Sequence, residues 1–125
     1  MKLLAIETSS TRCSVALYDG KKICSKELNA NRKHSDFLLS MIDDVLREDN
    51  SELNDVTALA FSAGPGSFTG LRLSCAISQG IGFVQSIPVV PVSSMEALSL
   101  AANRSKVFVC FFKVFERFWK VFECF

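Results

Sequence analysis

Short apolar runs near the N-terminus predict three consecutive β-strands. Residues 3–6 are all apolar, and residues 13–18 alternate larger apolar side chains with smaller or more polar ones. Asp19-Gly20 follows this second run and favours a hairpin turn, after which residues 22–28 can return as a third strand. Because short turns join neighbouring antiparallel strands, the pattern predicts a three-stranded antiparallel unit.

Helical periodicity begins after this unit. Ser35 is a suitable N-cap for a helix that runs to about Arg47. The apolar positions of this helix spread over roughly 200° of the helical wheel, which is wider than the stripe of an ordinary surface helix. Two interpretations stay open. Either the helix makes one broad contact with the core, or it keeps part of its apolar surface for a partner.

The following residues alternate strands with helices. Residues 56–61 and 87–92 predict strands, and residues 71–84 predict a helix between them. Ser93 or Ser94 is expected to cap a last helix that ends near residue 102. The order β-β-β-α-β-α-β-α predicts an α/β fold with a mixed five-stranded sheet and helices packed on it.

Composition places the chain among ordinary globular proteins. Of its 125 residues, 49% are hydrophobic and 22% are charged, so it has the apolar side chains that disordered tails lack. The net charge of +1 gives no overall attraction to nucleic acids or anionic membranes. We expect one domain in residues 1–103, with no signal peptide and no membrane-spanning helix, because every apolar run is too short.

The cysteines favour reduced thiols in a cytoplasmic protein. The chain has five cysteines, no two of them in a C-x-x-C pair, and one histidine. A zinc site needs close pairs of ligands, and a disulfide framework is unusual in a chain with this much apolar core material. We therefore expect buried free thiols and no cofactor.

Residues 104–125 depart from the rest of the chain. Lys-Val-Phe recurs every seven residues, at 106–108, 113–115 and 120–122, and seven of the eleven phenylalanines lie here. This segment has a net charge of +3, whereas residues 1–103 sum to −2. In a helix, the Val and Phe positions would share about 140° of one face. One interpretation is a basic amphipathic helix for a membrane surface or a partner groove.

The other interpretation of this repeat is a short tandem duplication or a frameshift that has replaced the native continuation. Val and Phe are mediocre helix formers, and the three units are nearly identical. We prefer this second interpretation.

The loop before the second helix is the most informative candidate for chemistry. It contains Gly64, Gly66 and Gly70 with further polar candidates at Ser67, Thr69 and Arg72. A strand, a glycine-rich turn and a helix start form an anion-binding geometry. The Walker A pattern needs Gly-Lys-Ser/Thr, however, and Gly70 is followed by Leu-Arg, while the Rossmann spacing is missed as well. The spacing therefore favours structural glycines that let the following helix pack closely on the strand before it.

The residues around the other candidate catalytic groups do not complete a catalytic site. Ser67 lacks the flanking glycines of a nucleophile elbow, and His34 is expected to be a surface or capping residue. Glu7 beside Thr8, Ser9 and Ser10 suits a Mg²⁺ and phosphate site at the end of the first strand. No second carboxylate is placed to complete that site, so we favour a solvated turn.

Four segments resemble the TsaB (YeaZ) family. Residues 4–9 with 13–17 are similar to its opening hairpin, and residues 32–35 with the apolar positions that follow are similar to its first helix. Residues 64–72, Gly-Pro-Gly-Ser-Phe-Thr-Gly-Leu-Arg, resemble the most distinctive motif of the family, and residues 91–98 resemble the next strand and helix. The resemblance covers residues 1 to about 103.

The resemblance implies an actin/Hsp70-like (ASKHA) N-terminal domain and a part in making N6-threonylcarbamoyladenosine at position 37 of ANN-decoding tRNAs. It implies a non-catalytic subunit that binds and activates TsaD, with TsaE joining the pair and tRNA contacted indirectly. A second possibility is a homodimer, formed through the same surface that would bind TsaD.

The sequence departs from the family pattern in two places. Glu7 stands where aspartate is usual in this fold, and residues 104–125 stand in place of the second ASKHA domain. The alternatives are a nucleotide-binding enzyme that uses Glu7 and the Gly64–Gly70 loop, or an inactive remnant.

The predicted partner surface combines the first two helices. Spacings of three and four residues place the candidates of each helix on one side, and a contiguous exposed apolar patch marks an association site. The candidates are His34, Leu38, Leu39, Ile42 and Leu46 on the first helix, and Leu73, Ile77 and Ile81 on the second.

Overall fold

A computed structural model describes residues 1–31 and 33–102. Five strands form one sheet in the order β3-β2-β1-β4-β5, namely β1 (Leu3–Glu7), β2 (Arg12–Tyr18), β3 (Ile23–Asn29), β4 (Ala58–Ser62) and β5 (Val89–Val92). The helices are α1 (His34–Glu48), α2 (Phe68–Gln85) and α3 (Ser94–Ala102), with a short 3-10 turn at Leu53–Asp55. The predicted element order is confirmed, and the Lys-Val-Phe segment, residues 104–125, lies outside the described residues.

Strand β1 stands at the centre of the sheet and joins two pairing modes. It runs antiparallel to β2, with Leu3 opposite Tyr18, and parallel to β4, with Leu3 beside Ala58. Strands β2 and β3 are antiparallel, and β4 and β5 are parallel. The predicted antiparallel unit is therefore confirmed. Pro91 lies in β5, at the edge of the sheet, where its missing N–H costs no ladder bond to a further strand.

One face of the sheet is covered by α1 and α2. The cluster on this face contains large apolar side chains from the strands and from α1, and apolar residues of α2 pack against it. Its most deeply buried members are Leu4, Ile6, Cys13, Val15, Leu17, Leu38, Val45 and Leu59. This is the main core of the domain.

Helix α2 approaches the sheet through small residues. Its buried positions are Gly70, Ser74, Ser78 and Gly82, which stand four residues apart and so share one side of the helix. A Cβ atom on Gly82 would overlap Cγ2 of Val89 in β5. We call these four residues the α2 seam. It sets the short distance between the helix and the sheet.

The opposite face of the sheet carries mostly small side chains. Ala97 of α3 and the ring of Tyr18 join this second cluster. Its buried sheet members are Leu3, Ala5, Ala16, Ala58, Ala60, Val90 and Val92. We call this surface the alanine face.

The helix starts differ from the predicted ones. Lys33, not Ser35, is the N-cap of α1, and it makes no side-chain capping bond, so α1 begins at His34. Helix α2 begins three residues earlier than predicted because Ser67 accepts a hydrogen bond from the Gly70 N–H at 3.4 Å. For α3, the Ser93 hydroxyl accepts a hydrogen bond from the Glu96 N–H, also at 3.4 Å. Of the two candidate caps, Ser93 and Ser94, the N-cap of α3 is therefore Ser93.

The described cysteines, Cys13, Cys24 and Cys75, are free thiols. The first two are buried, and burial raises the pKa of the Cys13 thiol to about 11. Among the helices of the described chain, none has both the length and the hydropathy needed to cross a bilayer.

A charged cluster ties the end of α1 to the beginning of β1 and β3. Asp49, whose side chain is 4% exposed, accepts a hydrogen bond from Lys2 Nζ at 2.8 Å and pairs with Lys22 Nζ at 3.1 Å. The Ser51 hydroxyl donates to the same carboxylate at 2.5 Å. The bonds from Lys2, Ser51 and Lys22 hold the pKa of Asp49 well below its usual range. The same carboxylate raises the pKa of both lysines.

Replacing Asp49 by asparagine is expected to lower the melting temperature at neutral pH by several degrees, because two lysines lose their shared carboxylate. Folding depresses the Asp49 pKa below the unfolded value of about 3.9. Its stabilising effect is therefore complete above about pH 5 and is lost as the pH falls further. The difference in melting temperature between wild type and Asp49→Asn should shrink on acidification, as measured by circular dichroism.

The matched control for this experiment is Asp43→Asn. Asp43 accepts from Arg47 at 2.9 Å, but both side chains are mostly exposed, and surface ion pairs contribute little to stability. Equal effects of the two substitutions would contradict the assignment of Asp49 as the ionic tie.

Candidate functional site

The glycine-rich loop lies against the turn that joins β1 and β2. The Ser67 N–H donates to the Ser9 carbonyl oxygen at 2.7 Å, and Thr8 Oγ1 donates to the Gly70 carbonyl oxygen, also at 2.7 Å. Thr8 is completely buried. The loop and the first turn of α2 are therefore held directly to the end of β1.

Each of the three loop glycines stands where another residue would be unfavourable, for lack of space or because of the backbone angle. A Cβ atom on Gly66 would lie 2.6 Å from the Ser9 carbonyl oxygen, and one on Gly70 would lie closer still to the Thr8 carbonyl oxygen. Gly64 has a φ of +101°, in the region that favours glycine. The glycines were expected to let α2 pack closely on β4, the strand that precedes it. Gly66 and Gly70 instead lie against the turn that follows β1.

The polar candidates of the loop lie at the N-terminus of α2 or in its first turns. Ser67 is its N-cap, and Thr69 is exposed on its first turn. The Arg72 guanidinium lies 3.9 Å from the centroid of the Phe68 ring, a cation–π contact at the surface. Arg72 is thus placed over an aromatic ring in this structure.

Residues 7–10 are engaged with the rest of the domain. Glu7 Oε1 accepts a hydrogen bond from the Ser9 N–H at 2.6 Å, and the Ser10 hydroxyl accepts from the Arg12 N–H at 3.2 Å. The expected solvated turn needs correction, because Thr8 is buried and Ser9 is half-buried under the glycine loop. Within residues 1–31 and 33–102, no three His, Cys, Asp or Glu side chains are placed to hold a metal ion.

His34 is a tie between α1 and this turn. It was expected at the surface or as a cap, but it is the first residue of α1 and is buried. Its Nε2 atom lies 2.9 Å from the Ser10 carbonyl oxygen. Because a carbonyl oxygen only accepts, Nε2 carries the proton in this bond.

The expected partner surface on α1 is narrower than the sequence pattern suggested. Leu39 is 62% exposed, whereas Leu38, Ile42 and Leu46 are buried in the main core and His34 is buried beside the β1–β2 turn. Most of the wide apolar arc of α1 therefore serves the core contact, while Phe37 and Leu39 keep part of it exposed. On α2, the candidates Leu73, Ile77 and Ile81 are half-buried and pack against the same core.

Other apolar side chains on these helices are exposed. Phe83 is 88% exposed and lies opposite the α2 seam, and Val84 beside it is also largely exposed. Helices α1 and α2 cover the same face of the sheet, so the outer sides of both helices point away from it. The exposed large apolar residues of these two helices, which we call the helix flank, are Phe37, Leu39, Phe68, Phe83 and Val84.

The sequence pattern held a usable indication of this surface. The four-residue spacing of Gly70, Ser74, Ser78 and Gly82 marks the side of α2 that lies close to its neighbour, so the opposite side must face outward. The helical spacing of the apolar side chains pointed instead to Leu73, Ile77 and Ile81.

Comparison with known proteins identifies relatives of this domain. Residues 27–111 match the family model described as TsaD, tRNA N6-adenosine threonylcarbamoyltransferase. The tRNA threonylcarbamoyladenosine biosynthesis protein TsaB of Haemophilus influenzae is 48% identical over 103 residues, which make up 82% of this chain and 43% of that protein. A tRNA N6-adenosine threonylcarbamoyltransferase of Chlorobium phaeobacteroides is 30% identical over 112 residues, covering 78% of this chain and 32% of that enzyme.

Solved structures agree with these matches. YeaZ from Pseudomonas aeruginosa superimposes with a TM-score of 0.80 at 40% identity, covering 82% of this chain and 48% of that one. The predicted α/β fold of the actin/Hsp70-like kind is confirmed. The chain spans less than half the length of these relatives.

Replacing Gly70 by alanine is expected to destabilise the fold by about 1–3 kcal/mol or more, because the added methyl group overlaps the backbone of Thr8. Gly80→Ala is the matched control in the same helix. Gly80 is exposed and a Cβ there meets nothing within 4 Å, so this change should stabilise by about 0.5–1 kcal/mol. Urea unfolding of both variants measures the two effects. Equal free energies of unfolding would show that the loop contact is not tight.

Proposed function

Because the chain belongs to the TsaB (YeaZ) family of tRNA threonylcarbamoyladenosine biosynthesis proteins, matched over part of their length, we propose that it acts as a non-catalytic subunit in that modification. In this proposal it binds and activates TsaD, the subunit that modifies position 37 of ANN-decoding tRNAs. The groups first considered for catalysis support this role. His34 and Ser67 hold α1 and α2 to the β1–β2 turn, and Glu7 accepts a hydrogen bond within that turn.

The helix flank is the observation that carries the proposal. Phe83 and Leu39 are large apolar side chains with most of their surface in water. Contiguous exposed apolar surface usually marks an association site, and aromatic side chains dominate the binding energy of such sites. The flank therefore fits a partner that buries both outward helix sides at once.

The partner is proposed from the family relationship. The chain matches a TsaD family model over residues 27–111, a range that includes α1 and α2. A TsaD subunit with equivalent helices would pack against the helix flank much as a second copy of this chain would, since both present similar surfaces. We propose TsaD as the partner, with TsaE joining the pair, tRNA contacted indirectly and all of this in the cytoplasm. The homodimer is the competing use of the flank.

Leu39→Asp and Phe83→Asp should each weaken the affinity for TsaD by roughly 10- to 100-fold, because a charge would be buried at the contact. Both side chains are exposed in the free chain, so far-ultraviolet circular dichroism should be unchanged. Leu46→Asp is unsuitable, because Leu46 is in the core and its replacement would unfold the domain. Co-purification and titration calorimetry with TsaD measure the effect.

The control variant is Met95→Asp, on α3 and outside the main core, where an exposed side chain is changed in the same way. Equal losses in all three variants would contradict a specific role for the helix flank. If the wild-type chain is folded and does not bind TsaD, but Phe83→Asp dissociates a dimer in sedimentation equilibrium, the homodimer replaces the proposal. A folded chain with neither partner would be an inactive remnant.

A further inference from the structure

The exposed surfaces of α1 and α2 differ in charge. Helix α1 has one guanidinium, on Arg47, and four carboxylates, all of them exposed. The carboxylates are those of Asp36, Asp43, Asp44 and Glu48. In the 18 residues of α2, Arg72 near the beginning is the one Asp, Glu, Lys or Arg residue. The surface that α1 offers to a partner is therefore acidic, whereas that of α2 is almost uncharged.

Two of these carboxylates border Leu39, which is 62% exposed. Asp36 stands three residues before Leu39 and Asp43 stands four residues after it, and side chains at these spacings are neighbours on a helix surface. Asp44 lies on another side of α1, because its carboxylate is 4.0 Å from Nζ of Lys26 in the edge strand β3. The most exposed large apolar side chain of α1 thus has an acidic border.

Little of this negative charge is neutralised within the chain. Asp36 accepts a hydrogen bond from the Ser35 hydroxyl at 3.3 Å, and among the described residues no Lys, Arg or His pairs with it. Asp43 accepts from Arg47 at 2.9 Å, but these two side chains are 64% and 78% exposed. One carboxylate beside Leu39 is therefore unpaired, and the other is paired only at the surface.

A contact between two copies of this chain would concentrate like charges. In a two-fold dimer both copies use the same surface, so a contact through Leu39 brings the carboxylates of Asp36 and Asp43 to the interface twice. Like charges around a contact oppose association. Opposite charges on a different partner would instead steer that partner to the surface and raise its association rate.

We infer that Asp36 and Asp43 determine which partner the helix flank accepts. They favour a protein subunit that carries lysine or arginine side chains beside its apolar contact, and they disfavour a second copy of this chain. This inference rests on the proposed function, in which the subunit is TsaD. Leu39 supplies apolar contact area for either partner, whereas its two acidic neighbours distinguish between them.

The test compares the full chain with the variant Asp36→Asn/Asp43→Asn. Stopped-flow measurements give the rate of association with TsaD at about 0.1 M and about 1 M NaCl. At the lower salt concentration the variant should associate about three- to tenfold more slowly, because the electrostatic attraction is lost. At 1 M NaCl, where the Debye length is about 3 Å, the two rates should agree. Both side chains are exposed, so circular dichroism should be unchanged.

The matched control is Asp44→Asn/Glu96→Gln, which makes the same change in net charge at sites away from Leu39. Asp44 lies beside β3, and Glu96 is exposed on α3. This control should keep most of the wild-type association rate. In sedimentation equilibrium at about 0.1 M NaCl, Asp36→Asn/Asp43→Asn should dimerise more than the wild type, because fewer like charges meet.

Two results would overturn the inference and leave the proposed function in place. One is equal association rates with TsaD for Asp36→Asn/Asp43→Asn and the control variant. The other is a wild-type chain that dimerises more tightly than Asp36→Asn/Asp43→Asn. If the folded wild-type chain binds no TsaD at either salt concentration, the proposed function is wrong and the inference fails with it.

Discussion

Successive carbonyl oxygens in the turn between β1 and β2 each accept a hydrogen bond from a different part of the chain. Ser9 accepts from the N–H of Ser67, Ser10 accepts from the His34 ring at 2.9 Å, and the Thr11 oxygen accepts from the N–H of Ala30. The starts of α1 and α2 and the end of β3 therefore meet at one turn. Because backbone oxygens cannot move without moving the strands, this turn fixes the position of both helices on the sheet.

The same constraint explains why residues that look catalytic are used for structure. A histidine, several serines and three glycines near a strand end resemble a site for phosphate or nucleophilic chemistry. Here the imidazole and the Ser67 N–H complete hydrogen bonds to carbonyl groups, and Gly70 lets the Thr8 carbonyl approach α2. The hydrogen bonds of the loop and the packing of the helices therefore depend on the same residues. The exposed side chains of Leu39 and Phe83 lie on the two helices that this arrangement positions.

Local sequence patterns were sufficient to predict the strands and helices and their order along the chain. Alternation over β2, the Asp19-Gly20 turn and the strand–helix alternation after it predicted the mixed sheet, because each depends on neighbouring residues. Helix starts were less accurate. Ser35 has better capping chemistry than Lys33, but α1 begins at His34, whose ring reaches the β1–β2 turn. A tertiary contact thus decided a boundary that local propensity had placed elsewhere.

The candidate surface was harder to predict for the same reason. Apolar periodicity shows which residues avoid water, but it does not show whether the sheet or a partner covers them. Leu38 and Ile42 are covered by the sheet, whereas Leu39 between them is exposed. On α2, the small residues of the α2 seam bring the helix so close that Leu73 and Ile77 become flanking core residues.

The double role of β1 also has a consequence for the order in which the chain folds. Its antiparallel partner β2 follows within a few residues, so that hairpin closes a short loop and can form early. Its parallel partner β4 comes only after α1, and closing that longer loop costs more chain entropy before any contact repays it. During synthesis the β1–β2–β3 meander therefore has an open edge along β1 until β4 emerges. In that interval, the growing chain exposes an unpaired strand whose side chains are apolar on both faces, the kind of edge that chaperones protect from aggregation.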